Sequence, residues 1–150
     1  MAQLTHLCYK LIDHLNEAID LRFCLVFSLA HGFLHTLGGL GMSALYQLRY
    51  QGVAGVGHGA VYIGRGIIVG VDITGGRYHG TYSAQGQNLV GSATLTSAGG
   101  TLVTGQPVPA GTQVPISFSL PTNFNNGQPH QISVGGRSVS VAFDLIGAVP

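Results

Sequence analysis

The chain has 150 residues, enough for one domain with a real core but too short for a two-domain enzyme. Charged side chains make up only 7% of it, and six Lys and Arg against five Asp and Glu leave a formal net charge of +1. The basic excess of a protein that competes for phosphate backbone is absent, so direct nucleic-acid binding is not expected.

Before Met42, Leu4, Leu7, Cys8, Leu11, Ile12, Leu15 and Ile19 recur at helical spacing, with Lys10, Asp13, Asn16, Glu17 and Asp20 on other faces, which predicts an amphipathic helix. Phe23 to Leu40 carries no charge, but His31, Gly32, His35 and the glycines at 38, 39 and 41 interrupt it, so a membrane span is not expected. Asp13, Glu17 and Asp20 against Lys10 and Arg22 are wrong for the basic start of a signal peptide, which leaves a cytoplasmic location. Cys8 and Cys24 show no CxxC spacing and read as free thiols. His31 and His35 stand at i, i+4, yet two ligands do not make a zinc site, and no metal or cofactor is expected. Residues 1–41 read as a helical and apolar extension; Met42 offers a second start, and residues 42–150 carry the β pattern.

Ser43 to Tyr50 alternates, with Tyr46, Leu48 and Tyr50 on one face against Gln47 and Arg49 on the other. Gly52, Gly55, Gly57 and Gly59 then read as a glycine-rich bend; a phosphate loop would need a following helix, and Ala60 to Ile63 reads as a strand. Gly64 and Gly66 flank Arg65 at a tight reversal. Ile67 to Val71 is a near-continuous apolar run, expected to be buried on both sides or at a barrel seam. Asp72, Thr74, Gly75 and Gly76 form the next turn, with the Asp side chain bonding nearby backbone N–H groups. Tyr78 to Ser83 returns as a strand, Ala84 to Asn88 as a polar connection and Leu89 to Thr96 as another strand.

Ser97 to Gly111 predicts an irregular crossing with at most one short strand. Val114 to Leu120 alternates, Pro121 to Pro129 is a loop, and Ile132 to Val134, a Gly135-Gly136 turn and Ser138 to Leu145 close the chain. A flat sheet of about eight such strands would leave two exposed edges, whereas closure removes them. The expected fold is therefore mainly β, a small antiparallel barrel of about eight strands. Its inward set would be Leu48, Val61, Ile63, Ile67, Val69, Leu89, Leu95, Ile116, Phe118, Val139, Val141 and Phe143. That interior is either filled by side chains or holds one small ligand.

Leu45-Tyr46-Gln47-Leu48-Arg49-Tyr50, Gly57 to Ile63, Gly66 to Asp72 and Tyr78-His79-Gly80-Thr81-Tyr82 resemble, in order and spacing, the GrlR-type family of negative regulators linked to type III secretion. The most specific part is Gly70-Val71-Asp72 followed by Tyr78-x-Gly80-x-Tyr82. The resemblance implies a lipocalin-like barrel, a homodimer, and sequestration of a transcriptional activator by protein contact. The family's activator-binding acidic run matches Ala84-Gln85-Gly86-Gln87 here, which is uncharged; with Ser83 these are the candidate partner-binding residues. Gly70, Asp72, Gly75, Gly76, Tyr78, Gly80 and Tyr82 are the candidate structural motif. A lipocalin-like carrier of a small apolar ligand is the alternative. An enzyme is a third reading: Asp72, His79 and Ser83 supply suitable residue types, but no nucleophile elbow surrounds Ser83 and no catalytic residue is assigned.

Overall fold

The computed structural model describes residues 43–150. The expected helical extension, Cys8, Cys24, His31, His35 and Met42 lie outside the described residues. Ten strands follow: β1 Ser43–Gly52, β2 Gly55–Gly64, β3 Ile67–Asp72, β4 Arg77–Gln85, β5 Asn88–Thr96, β6 Gly100–Thr101, β7 Pro107–Val108, β8 Gln113–Pro121, β9 His130–Val134 and β10 Arg137–Ala148. Eight of them form a closed antiparallel barrel in chain order, with β10 pairing back onto β1, while β6 and β7 make a separate two-stranded ribbon.

Closure follows from the alternation that the strands carry. In β1, Ala44, Tyr46 and Leu48 are buried while Leu45, Gln47 and Arg49 face out, and Val139, Val141 and Phe143 repeat the pattern in β10. Paired residues of neighbouring strands point to the same side, so Tyr46, Val61, Gly70, Tyr78, Leu95 and Val114 form one inward row around the wall. Of the expected inward set, Phe118 is partly buried, and Ile67 and Val69 are on the wrong side, 41% and 44% exposed. Ile68 takes the inward place, at 7%. The apolar run of β3 hid its own register: every residue from Ile67 to Val71 except Gly70 is Ile or Val, so sequence alternation was absent, and pairing with β2 decides which row faces in.

The expected glycine-rich bend is also corrected. Only Val53 and Ala54 form the β1–β2 turn, and Gly55, Gly57 and Gly59 lie within β2. Gly57 is opposite Tyr50, and a side chain there would collide with the tyrosine ring, so the glycine is a seat for an aromatic on the neighbouring strand. Ala84 and Gln85, expected in a connection, extend β4 instead and pair with Leu89 and Asn88. The turn shrinks to Gly86-Gln87, with Gly86 at φ 61° as the first central residue of a two-residue hairpin. The Ser97–Gly111 crossing holds two short strands rather than at most one.

The two ends of the barrel differ. At one, the 122–129 loop inserts Phe124, which is 0% exposed and packs its ring 5.2 Å from Tyr46 and 4.9 Å from Phe143. At the other, the segment between β5 and β8 runs across the mouth. It is fastened by Ala54 N–H to Val103 O (2.9 Å), by Arg137 Nη1 to Thr104 O (2.9 Å), and by Ala98 lying beside Gly75.

Candidate functional site

The motif that carried the resemblance folds as one hairpin. β3 ends at Asp72, β4 begins at Arg77, and the side chain of Asp72 ties the four residues between them. Its Oδ1 accepts from Thr74 N–H (2.9 Å), Thr74 Oγ1 (2.6 Å) and Gly76 N–H (2.8 Å), while Oδ2 accepts from the Tyr78 hydroxyl (3.1 Å). The expected aspartate turn is therefore present, and it reaches into the barrel as well as along the backbone. The two turn glycines have different reasons to be there. Gly75 has φ 91°, a left-handed conformation that favours glycine; Gly76 does not, but a side chain on it would strike the Asp72 carboxylate and Leu95.

Gly70, Tyr78, Gly80 and Tyr82 lie on the inward rows of β3 and β4, with Gly70 paired to Tyr78 and Gly80 to Ile68. A side chain at Gly70 would meet the backbone of Ala60 and Val61, and one at Gly80 the backbone of Ser92 and Ala93, so both glycines permit close approach of strands around the wall.

Beneath the crossing segment the barrel encloses a cavity of about 400 Å³. Its wall is mostly apolar, including Leu48, Val61, Ile63, Leu95, Phe118 and Val141; Asp72, Thr74, Tyr78 and Tyr50 gather near the mouth, with Ser97 and Thr101 on the crossing segment and Tyr82 farther along β4. Burial alone would raise the Asp72 carboxyl, but hydrogen bonds from Thr74, Gly76 and Tyr78 outweigh it and hold the group below its ordinary value. Burial first, then the neighbouring Tyr50 and Asp72, drive the Tyr78 hydroxyl far above the ordinary tyrosine value. Tyr50 is raised too, chiefly by burial, and its hydroxyl interacts with both Tyr78 and Asp72. The arrangement is an ionised carboxylate holding a neutral phenol in place, with a second phenol beside it.

The candidate partner residues lie elsewhere. Ser83 to Gln87 are all exposed and occupy the last residues of the nine-residue β4 and its following turn, at the opposite end of the strand from the Asp72 turn and beside the Phe124 loop, where Thr122 N–H donates to Gln87 O (2.9 Å). His79 and Ser83 face outward while Asp72 faces in, so the three are not brought together. Among the described residues, no group of three or more His, Cys, Asp and Glu is placed to hold a metal ion.

Sequence reasoning missed two contributors. Tyr50 was placed on the correct face of β1 but given no role; the signal was its neighbour across the turn, Gly57, an empty position opposite an aromatic. Phe124 sits between polar residues in a loop, where a lone aromatic was the available cue. Comparison with protein families, with curated proteins and with solved structures finds no match to this chain, so the GrlR-type resemblance stands on the residues quoted for it.

Proposed function

We propose that this protein is a non-enzymatic regulator of the GrlR type, a lipocalin-like barrel that forms a homodimer in the cytoplasm and sequesters a transcriptional activator by protein contact, without binding nucleic acid itself. The observation that carries action by contact is the outer row of the motif hairpin and its turn: Ile67, Val69 and Val71 stand in line on β3 and Ile73 follows in the turn, 41% to 76% exposed. An apolar row of that length on an ion-poor surface is the kind that a protein partner covers. We assign it to the second copy of the homodimer, and the exposed β4–β5 hairpin tip, Ser83 to Gln87, to the activator.

The chemistry of the activator contact follows from where the acids are. Among the described residues only Asp72 and Asp144 are acidic; Asp72 is committed to its turn, and Asp144 accepts from Arg49 Nε at 2.9 Å. The contact therefore depends on shape and apolar packing, and its affinity falls only weakly between low and moderate salt. Capture of regulators on the full-length protein across a salt series tests this. Retention of an activator throughout is the expected result; steep loss with salt contradicts an uncharged contact, and absence of any regulator contradicts sequestration. Replacing residues 84–87 with an acidic run is the converse experiment and should confer binding to a GrlR-type activator.

A second reading, a lipocalin-like carrier of a small apolar ligand, is favoured by the 400 Å³ cavity, which falls within the usual size range of ligand sites. The two readings are compatible, because the cavity and the outer contact surfaces are separate.

A further inference from the structure

Resting on the carrier reading of the cavity, we infer that the barrel interior selects an uncharged apolar molecule with a hydroxyl head and rejects the matching carboxylate. The volume, about 400 Å³, accommodates roughly a dozen non-hydrogen atoms at the ~30 Å³ that a water-sized group occupies in a liquid. The apolar wall takes the body of such a molecule. The head goes to the Tyr50, Tyr78 and Asp72 cluster near the mouth, where two phenols stand with a carboxylate; Tyr82, a further phenol of the wall, lies farther along β4.

The selectivity follows from charge and from donor and acceptor accounting. No Lys, Arg or His lines the cavity, so nothing there compensates an anion. Asp72 already supplies one negative charge, and a second placed beside it would be both desolvated and repelled. An ammonium head would be attracted to Asp72 but would lose its water to a carboxylate that already accepts four hydrogen bonds, from two backbone amides and two hydroxyls. A hydroxyl fits without either cost. Tyr78 donates to Asp72 and its hydroxyl also meets that of Tyr50, so of the two phenols one oxygen still has a lone pair to offer the incoming hydroxyl.

The test is calorimetric titration of the full chain with 1-octanol, octanoate, octylamine and n-octane at neutral pH, together with Tyr50→Phe, which keeps the hydrogen bonds that Asp72 accepts from Thr74, Gly76 and Tyr78, and Asp72→Asn. Octanol should bind roughly tenfold or more tightly than octanoate and more tightly than octylamine or octane. Tyr50→Phe should weaken octanol but not octane, and Asp72→Asn should narrow the gap between octanol and octanoate. Octanoate or octylamine binding as well as octanol, or octanol no better than octane, overturns the head-group selection while leaving a carrier standing. Failure of all four to bind removes the carrier reading and this inference with it. If Asp72→Asn fails to fold, the Tyr50→Phe comparison between octanol and octane still decides.

Discussion

At the scale of single residues, Asp72 links the chain's turn chemistry to its interior. Replacing it with Ala removes the acceptor for four hydrogen bonds and leaves the partly buried Tyr78 hydroxyl without its acceptor. A loss of about 1–3 kcal/mol in chemical denaturation is expected. The pH dependence has a definite sign. Because the folded carboxyl lies below its ordinary value, its contribution is complete above about pH 4 and is lost as pH falls through the lowered folded value. Acid unfolding of Asp72→Asn should therefore lack that component; an unchanged acid limb would show that Asp72 is not the group titrating. Gly75→Val should cost roughly 1–3 kcal/mol through backbone strain. Gly76→Val should cost a similar amount through collision with Asp72 and Leu95, so Gly76→Ala remains harmful whereas Gly75→Asn, which tolerates positive φ, is milder. Equal costs for Gly75→Asn and Gly75→Val would contradict the strain account.

Among the elements, the hairpin β3–β4 shows what a sequence can and cannot disclose. The Asp72 turn and the Arg65-Gly66 reversal were legible because aspartate, glycine and positive φ are local properties; Arg65 at φ 53° and Gly66 at φ 78° match the tight turn expected there. The register of β3 was not legible, since an unbroken apolar strand looks the same from either face and only pairing with Gly59 to Gly64 selects Ile68 for the core. The glycines of β2 misled for the opposite reason: they serve neighbours across the sheet, Tyr50 and Asp72, which no local pattern reveals. Cavity and head-group cluster were likewise outside local reading, because Tyr50 and Tyr78 meet only through the barrel wall. The outward row carries its own prediction. Val69→Lys places a charge between Tyr62 and His79 on the outer face, so it should dissociate the proposed homodimer in sedimentation equilibrium while leaving the melting of the monomer nearly unchanged. A dimer that survives Val69→Lys and Val71→Lys together would show that the subunits meet elsewhere.

For the whole molecule, the wall is complete within the described residues, because β10 returns to β1 from Ala44↔Ala148 to Gln51↔Ser140. A chain beginning at Met42 should therefore melt cooperatively at the midpoint of the full chain, as followed by circular dichroism; loss of cooperativity would mean that the preceding residues contribute to closure. The two ends divide the work, with Phe124 sealing one and the polar cluster beneath the crossing segment marking the other. The proposed partner contact on the outside and the proposed ligand in the interior thus fall on different surfaces of one barrel. The central claim, action by protein contact, is tested most directly by native mass spectrometry of the full-length protein purified from its own cells. The account predicts a complex holding two copies of this chain together with a transcriptional activator. A monomer carrying no protein partner would contradict it.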